Sequence, residues 1–389
     1  MRKILIATVG RSDYGVCRPV MNRIATESGL CYELLVTGAH LSQASGGTID
    51  EIVNDSRPIS GRVPLPETLG GPRPTAEAMG VAMAGSARVF AEKRPDLLLV
   101  LGDRFEMFAV ASAAVPFNIP IAHIHGGELS FGAIDEVFRH AITKMAHLHF
   151  AATMDYADRI VRMGEEPWRV TVSGAPSLDT IREAQLPDPA TLAQRFGISL
   201  ERPPLLVTFH PVTRQPEQAL GHVSALLNAL RQVDIPVVLT APNADAGSDI
   251  IRAEYLRFLD ERADCRLVEN FGALNYLAML REAAAVIGNS SSGLIETPAL
   301  KVPTVNIGER QQGRTRAANV IDVPTTADEI LGGIRKALDP AFRSSLVGLV
   351  NPYGDGHAAE RIVEVLKSVE LGPHLLAKRF YDGPGSAAN

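Results

Sequence analysis

The chain has 389 residues, of which 46% are hydrophobic and 21% are charged, and its formal net charge is −6. This length suggests two domains and allows three. Because the weak negative charge is spread along the chain, it favours neither a nucleic-acid partner nor an anionic membrane. Three scattered cysteines, without paired spacing, fit neither a disulfide framework nor a zinc ribbon. No secretory signal and no apolar stretch long enough to cross a bilayer is present, so we expect a cytoplasmic protein.

Short apolar runs alternate with helical stretches of about ten residues or more, a pattern typical of β-α units around a parallel sheet. Strands are predicted at 3–9, 31–38, 96–102, 119–124, 148–153, 203–211, 235–243, 265–271, 284–291 and 302–308. A polar segment at 182–204 separates the halves, with Asp188 and Pro189 in position to begin a helix. We therefore predict an α/β protein with two doubly wound, Rossmann-like domains that face each other, at 1–182 and 183–370, the second ending in a helix at 355–369. Residues 371–389 are predicted to form a tail.

Polar side chains follow three strands of the first half, at "GRSDYG" (10–15), "LGDRFE" (101–106) and "HIHGGELSFGAIDE" (123–136). Ligands of parallel sheets collect at the carboxyl ends of strands, so these exits are predicted to share one rim. The residues concerned are Arg11, Asp13, Asp103, Arg104, Glu106, His125, Glu128, Asp135 and Glu136. The third stretch could be a metal site, an acid/base site or a polar loop. Strand alternation places His123 and His125 on one face, but no third ligand is suitably spaced, so a metal is not favoured.

The second half carries a different set of polar groups. The strand exits "FHP" (209–211) and "APNADAG" (241–247) bear His210 and Asn243. In "GNSSSGLIE" (288–296) a hydroxyl-rich turn precedes a helix, which suits an anion such as a diphosphate, although ordinary N-caps have the same composition. Glu296 could take a pair of sugar hydroxyls. The following "GERQQGRTR" (308–316) adds Arg310, Arg314 and Arg316. Neither GxGxxG after the first strand nor GxxxxGK[ST] occurs, which argues against a nicotinamide enzyme or an ATPase.

Taken together, "RSDYG", "GDRFE", "HIHGGE", "GAIDEVFRHAITKMAHLHF", "FHPVT", "GNSSSGLIE" and "NIGERQQGR" resemble the hydrolysing UDP-N-acetylglucosamine 2-epimerases of sialic acid and legionaminic acid pathways. The motifs match in order from about residue 3 to about residue 366. The resemblance implies the GT-B architecture, with the active site in a cleft between two Rossmann-like domains. It also implies that a UDP-linked 2-acetamido sugar reacts with water to give UDP and the free manno-configured sugar, without a metal or cofactor.

The resemblance also implies roles for individual residues. The catalytic group is expected to comprise Asp103, Glu128, Asp135, Glu136, Arg139 and His125, with Arg139 orienting the acids. The substrate and UDP contacts are expected to be Arg11, Asp13, His210, Asn243, Ser290, Ser291, Ser292, Glu296, Arg310 and Arg314. Such a reaction needs a base, a proton donor and stabilisation of departing UDP. A homodimer or homotetramer is expected.

Several alternatives stay open at this point. A GT-B glycosyltransferase would share the nucleotide-binding half, and a non-hydrolysing epimerase or a UDP-sugar sensor would share most of the fold. The density of acids and histidines in the first half favours proton transfer over glycosyl transfer, and the four carboxylates argue against a sensor. The motifs of non-hydrolysing epimerases differ from "HIHGGE" and "GNSSSG". The residues decide neither which carboxylate is the base nor whether position 4 of the sugar bears a hydroxyl or an acetamido group.

Overall fold

The computed structural model describes residues 1–42, 47–66, 71–131, 133–212, 216–242 and 247–383. Its contacts divide the chain into two compact units. The first unit contains Met1–Glu128, Asp135–Thr180 and the chain from Tyr353 onward, and the second contains Leu129–Ile134 and Ile181–Pro352. No helix in these ranges is both long and apolar enough to span a membrane.

The first unit is built on a parallel sheet of seven strands in the order β3-β2-β1-β4-β5-β6-β7. Its strands are β1 (Arg2–Thr8), β2 (Leu30–Thr37), β3 (Ile59–Val63), β4 (Leu97–Leu101), β5 (Ile121–Ile124), β6 (Leu148–Ala151) and β7 (Val170–Val172). Its helices are α1 (Arg11–Thr26), α2 (Ile49–Asn54), α3 (Pro72–Lys93), α4 (Phe105–Ala114), α5 (Asp135–Met145), α6 (Met154–Arg162) and α7 (Ser177–Glu183), the last of which runs into the second unit.

The second unit repeats this scheme with six strands in the order β10-β9-β8-β11-β12-β13. Its strands are β8 (Leu205–Thr208), β9 (Val237–Thr240), β10 (Cys265–Val268), β11 (Ala285–Gly288), β12 (Thr304–Ile307) and β13 (Val320–Val323). Its helices are α8 (Pro189–Phe196), α9 (Ala219–Leu230), α10 (Ser248–Glu261), α11 (Ala273–Glu282), α12 (Ser292–Ile295), α13 (Thr297–Leu300), α14 (Ala327–Leu338) and α15 (Pro340–Ser345). The chain then returns to the first unit with α16 (Ala358–Ser368) and α17 (Pro373–Leu376).

Burial on both faces of each sheet explains the continuous apolar runs in the sequence. In β1, Ile4 and Ile6 enter one core while Leu5 and Ala7 enter the core on the opposite face. The alternation follows from the two-residue period of a strand, so both halves of the run must be apolar. The prediction of two Rossmann-like units is confirmed. The predicted start of α8 is also confirmed, since the Asp188 side chain accepts a hydrogen bond from Thr191 N at 2.8 Å.

The last long helix, α16, belongs to the first unit, which differs from the predicted domain limit at residue 370. Ile362 and Leu366 of α16 are fully buried in the same core as Val20 of α1. At the start of α16 the Asp179 carboxylate accepts hydrogen bonds from Ala358 N and Ala359 N, at 3.0 and 2.8 Å. The helix therefore completes a core that begins at the other end of the chain.

The segment 372–381, which the sequence analysis treated as a tail, docks on the first unit, and we call it the C-terminal strap. Lys378 Nζ donates to the carbonyls of Lys144 and Ala146, at 2.7 and 2.6 Å, and pairs with Glu165 at 2.7 Å. Burial opposes ionisation of Glu165. Hydrogen bonds from the side chains of His149, Lys144 and Lys378 outweigh this effect and lower the pKa of Glu165 to about 2. The strap thus binds to the C-terminal end of α5.

Candidate active site

The buried guanidinium of Arg139, on α5, gathers the acidic residues of the first unit. Its side chain is 1% exposed. It donates to Glu136 Oε2 at 3.0 Å, to the backbone carbonyl of Glu128 at 3.1 Å and to Asp103 Oδ2. Charge-assisted bonds of this kind fix the orientation of carboxylates. The structure therefore brings together Asp103, Glu128, Glu136 and Arg139, and it places Asp135 at the first residue of the same helix.

Glu128 makes a second close contact, with His125. Glu128 is 1% exposed, and its Oε1 lies 2.5 Å from His125 Nδ1. His125 has a φ of +64°, in the left-handed region that non-glycine residues adopt at a cost. This backbone turn lets the imidazole of His125 fold back onto Glu128. The carboxyl and the imidazole form a pair across which a proton can move.

His123 has a separate, structural role. It is fully buried, and its Nε2 lies 2.8 Å from the carbonyl oxygen of Gly102, the residue after β4. Burial lowers its pKa to about 3, so the ring is neutral and Nε2–H donates to that carbonyl. The two histidines expected on one face thus contact different partners, Gly102 for His123 and Glu128 for His125. The reason is that the left-handed turn at His125 ends the strand alternation. Among the described residues no group of three or more His, Cys, Asp or Glu is arranged to hold a metal ion.

A second acidic group lies at the carboxyl ends of β1, β2 and β4. Asp13 is 7% exposed and Glu106 is 3% exposed. Arg104 Nε lies 3.3 Å from Glu106 Oε2, and its charge also acts on Asp13. Arg11, the first residue of α1, is half-buried, and burial lowers its pKa against an opposing effect of Glu51. Asp13 and Glu106 therefore form a set distinct from the one that Arg139 holds.

In the second unit, Asn289 connects the exits of β8 and β11. Its Oδ1 accepts from His210 N and its Nδ2 donates to His210 O, both at 2.8 Å. The carbonyl of Asn289 in turn accepts from Arg310 Nη1 at 3.0 Å and from Gln311 Nε2 at 2.8 Å. Burial, with a smaller contribution from Arg310, lowers the pKa of His210 to about 3, so this imidazole is neutral. Asn289 thus fixes two residues that the sequence singled out.

The serine turn after β11 is held by hydroxyl contacts. Ser292 Oγ lies 3.0 Å from Ser290 Oγ and 2.7 Å from the hydroxyl of Tyr276, on α11. Ser291 precedes α12, and Glu296 lies between α12 and α13, where it is half-buried. The serines were predicted from their motif but Tyr276 was not, because an aromatic residue in a helix carries no signal for a distant strand exit.

The remaining predicted contacts have different outcomes. Arg314 is half-buried in the loop between β12 and β13. Its backbone N–H donates a hydrogen bond to the carbonyl of Gln311 at 3.3 Å. Arg316 forms an ion pair with Asp322 at 3.1 Å. Asn243 lies outside the described residues.

The sequence of the chain matches a known protein family. A family model described as UDP-N-acetylglucosamine 2-epimerase matches residues 22–367. The chain belongs to this family. An epimerase relative from Legionella pneumophila, UDP-N,N'-diacetylbacillosamine 2-epimerase (hydrolyzing), is 36% identical over 97% of this chain and 99% of its own length. Polysialic acid biosynthesis protein P7 of Escherichia coli is also 36% identical, over 99% of this chain and 98% of its own.

Solved structures of the epimerase family share the fold. The UDP-N-acetylglucosamine 2-epimerase of Neisseria meningitidis, solved with UDP-N-acetylglucosamine bound, superposes with a TM-score of 0.81 over 94% of this chain and 100% of its own. The sequence identity is 18%, so this likeness shows the fold alone. The family and the fold that the motifs predicted are both confirmed.

Proposed function

We propose that the protein is a hydrolysing 2-epimerase that converts UDP-N-acetylglucosamine and water into UDP and free N-acetylmannosamine, for the synthesis of sialic-type acids. The observation that carries the proposal is the group around Arg139. One buried guanidinium holds Asp103 and Glu136 and fixes the backbone of Glu128, whose carboxyl pairs with His125. A pure binding protein has little use for such an assembly of carboxyl groups.

The reaction explains why several acids are needed. The proton at carbon 2 is weakly acidic, because no carbonyl is adjacent to it. A base removes this proton while the bond from carbon 1 to oxygen breaks, and the electron pair leaves with UDP. Water then adds its hydroxyl to carbon 1 of the resulting glycal, and an acid delivers a proton to the opposite face of carbon 2. The base and the acid must therefore stand on different sides of the sugar.

We assign this proton chemistry to Glu128 and Asp103, in an order that we leave open. Glu128 is almost fully buried and can pass a proton to or from His125 over their 2.5 Å contact. Asp103 is 23% exposed at its side chain, so water can reach it. Glu136 and Asp135 at the start of α5 complete the acidic group, and Arg139 is its positioning residue.

The second unit supplies the nucleotide contacts in this proposal. His210, Ser290, Ser291 and Glu296 are assigned to the phosphates and the uridine, with Ser292, Asn243, Arg310 and Arg314 as further contacts. Arg11 and Asp13 of the first unit are assigned to the substrate as well. A neutral His210 can donate one hydrogen bond to a phosphate oxygen without titrating between pH 5 and 9. Cationic and N–H donors are what a departing diphosphate requires.

The same chemistry on UDP-2,4-diacetamido-2,4,6-trideoxyglucose is the second candidate. It is favoured by the Legionella pneumophila relative, which is named for a diacetamido sugar and is 36% identical to this chain. The two substrates differ only at positions 4 and 6, away from the bond that breaks. The reaction proposed for Glu128 and Asp103 is therefore unchanged, and the two candidates differ in sugar recognition.

Proton NMR in D₂O with each UDP-sugar, offered separately, tests the proposal. We expect UDP to appear together with a free manno-configured sugar that carries deuterium at carbon 2. The substrate with the larger kcat/KM identifies the pathway. Binding of UDP without turnover of either sugar would reject the catalytic proposal and leave a sensor, whereas turnover only with an added acceptor would indicate a glycosyltransferase.

We also expect the protein to form a homodimer or homotetramer and to work in the cytoplasm. Light scattering tests the oligomeric state.

A further inference from the structure

Asp13 presents a buried oxygen that the rest of the described structure leaves without a hydrogen bond. The residue is 7% exposed, and its Oδ2 has no hydrogen-bond partner among the described residues. That oxygen faces Gly10, the residue at the end of β1 that precedes α1. A Cβ built on Gly10 would meet only Ala39 Cβ and this oxygen, each at 3.9 Å. An unpaired buried oxygen costs free energy unless something else satisfies it.

The electrostatic surroundings of Asp13 favour a neutral carboxyl. Burial, the largest effect, raises the pKa of Asp13 to about 7. The charge of Arg104 lowers this pKa, the charge of Glu106 raises it, and hydrogen bonds with the Val9 backbone and the Ser12 side chain lower it. The charge of Arg104 thus acts on two buried carboxyl groups, Asp13 and Glu106, and its Nε lies 3.3 Å from Glu106 Oε2. When like charges are placed close together in this way, one of them keeps its proton.

The other groups packed around Asp13 do not titrate in the same pH range. His40, in the turn after β2, has its pKa lowered to about 4 by burial, so it is neutral. Cys17, one turn further along α1, has a pKa raised by burial and by the charge of Asp13, so it stays a thiol. Arg11 and Arg104 stay cationic throughout. Ionisation of Asp13 is therefore the event that changes the charge of this group near neutrality.

A neutral carboxyl has a different use from an ionised one. Its O–H donates a hydrogen bond, whereas a carboxylate only accepts. The oxygens of a diphosphate and of an acetamido carbonyl accept hydrogen bonds and never donate them. They therefore pair with a protonated carboxyl and are repelled by an ionised one. We propose that Asp13 carries a proton in the working enzyme and donates it in a hydrogen bond from Oδ2 to an acceptor oxygen of the UDP-sugar, with Glu106 keeping it in this form.

This inference rests on the proposed function for its substrate, and it makes a prediction that the proposed function does not. As Asp13 loses its proton, the affinity for an acceptor oxygen should fall. We expect kcat/KM of the wild type to fall about tenfold per pH unit above pH 7, because kcat/KM reports ionisations of the free enzyme. The substitution Asp13→Asn retains a neutral donor of the same shape, so its kcat/KM should stay within about threefold between pH 6.5 and 8.5.

Two further variants make the test specific. Glu106→Gln removes the charge that raises the pKa of Asp13, so the pH profile should keep its shape while its midpoint moves to lower pH. Asp50→Asn, on exposed α2 of the same unit, is the matched control and should reproduce the wild-type profile. A merely structural Asp13 would change stability or kcat without flattening the pH dependence. Circular dichroism checks that each variant is folded.

Calorimetric titration with UDP alone identifies the acceptor oxygen without requiring turnover. If the wild type loses UDP affinity between pH 6.5 and 8.5 more than Asp13→Asn does, the acceptor oxygen lies on UDP. If only kcat/KM shows the difference, the acceptor lies on the sugar. An unchanged pH profile in Asp13→Asn, with wild-type turnover intact, overturns the inference and leaves the proposed function standing. Proton-linked UDP binding without any turnover would support the inference for UDP and reject the proposed function.

Discussion

Replacing Arg139 by methionine tests whether one guanidinium holds the acidic group together. The side chain donates hydrogen bonds to the carboxylates of Asp103 and Glu136 and to the buried carbonyl of Glu128. Removing one partner of a buried ion pair costs about 3–5 kcal/mol, because the other partner is left buried and unpaired. Here the side chains of Asp103 and Glu136 are 23% and 13% exposed, so water recovers part of that loss. We therefore expect about 3 kcal/mol, roughly a hundredfold shift in the folding equilibrium.

The single tryptophan provides the assay. Trp168 lies in the first unit, as Arg139 does, so its fluorescence follows the unfolding of that unit in urea. With a slope of about 3 kcal/mol per molar urea, the expected loss moves the midpoint down by about 1 M. Arg139→Lys keeps the charge but cannot form all the bonds of the planar fork, so it should lose less. Arg88→Met, at an exposed position on α3, is the control and should unfold like the wild type.

Turnover should fall together with stability. With Arg139→Met we expect kcat to drop at least about a hundredfold, since the acids lose their orientation while the nucleotide contacts that we propose for the second unit remain. A variant with a midpoint within about 0.2 M of the wild type and with full turnover would refute the reasoning, because the guanidinium would then support neither the fold of the first unit nor its chemistry.

Three further substitutions test other parts of the structure. Glu128→Gln should lower kcat by about a hundredfold or more while UDP affinity, measured by calorimetry, stays unchanged; the exposed Glu364→Gln should leave both values as they are. Asn289→Ala removes both hydrogen bonds that clamp the backbone of His210, so UDP should bind at least about tenfold more weakly, and unchanged affinity would show that the clamp is dispensable. Glu165→Gln tests linkage to pH. The pKa of Glu165 is depressed from 4.5 to about 2, so its contribution to stability is present above about pH 5 and is lost as the pH falls toward 2. The stability difference between wild type and Glu165→Gln should therefore shrink over that window, and a constant difference would contradict it.

The sequence predicted all the central strands and missed three of the four edge strands. The ten predicted runs all contain a strand, because strands buried on both faces leave continuous apolar sequence. The three strands that were missed, β3, β7 and β13, are edge strands, and β3 and β13 carry polar residues such as Arg62 and Asp322. The fourth edge strand, β10, was predicted. An edge strand has one neighbouring strand and is more exposed to solvent, so its sequence need not be apolar.

The helix α16 was predicted, but the unit to which it belongs was not. Hydrophobic periodicity does not indicate which core a helix joins.

The candidate site was predictable where it follows strand ends and not elsewhere. Asp103, Glu128 and Arg139 were singled out, and the structure connects them. The close pairing of His125 with Glu128 depends on a left-handed turn that strand alternation cannot foresee. Asn289 and Tyr276 were not singled out because their partners, His210 and Ser292, lie on other elements of the fold, and sequence patterns do not show which elements meet.

The discontinuous first unit has a consequence for how the chain folds as it is made. Its seven strands are all synthesised before residue 173, yet its core still lacks α16, which leaves the ribosome only after the whole second unit. The stretch 181–352 is continuous, and its strands and principal helices are all present once it has been made. Domains usually fold in the order of their synthesis. In this protein the later unit can finish first, while the earlier one waits with the apolar surface of α1 exposed until the last helix arrives.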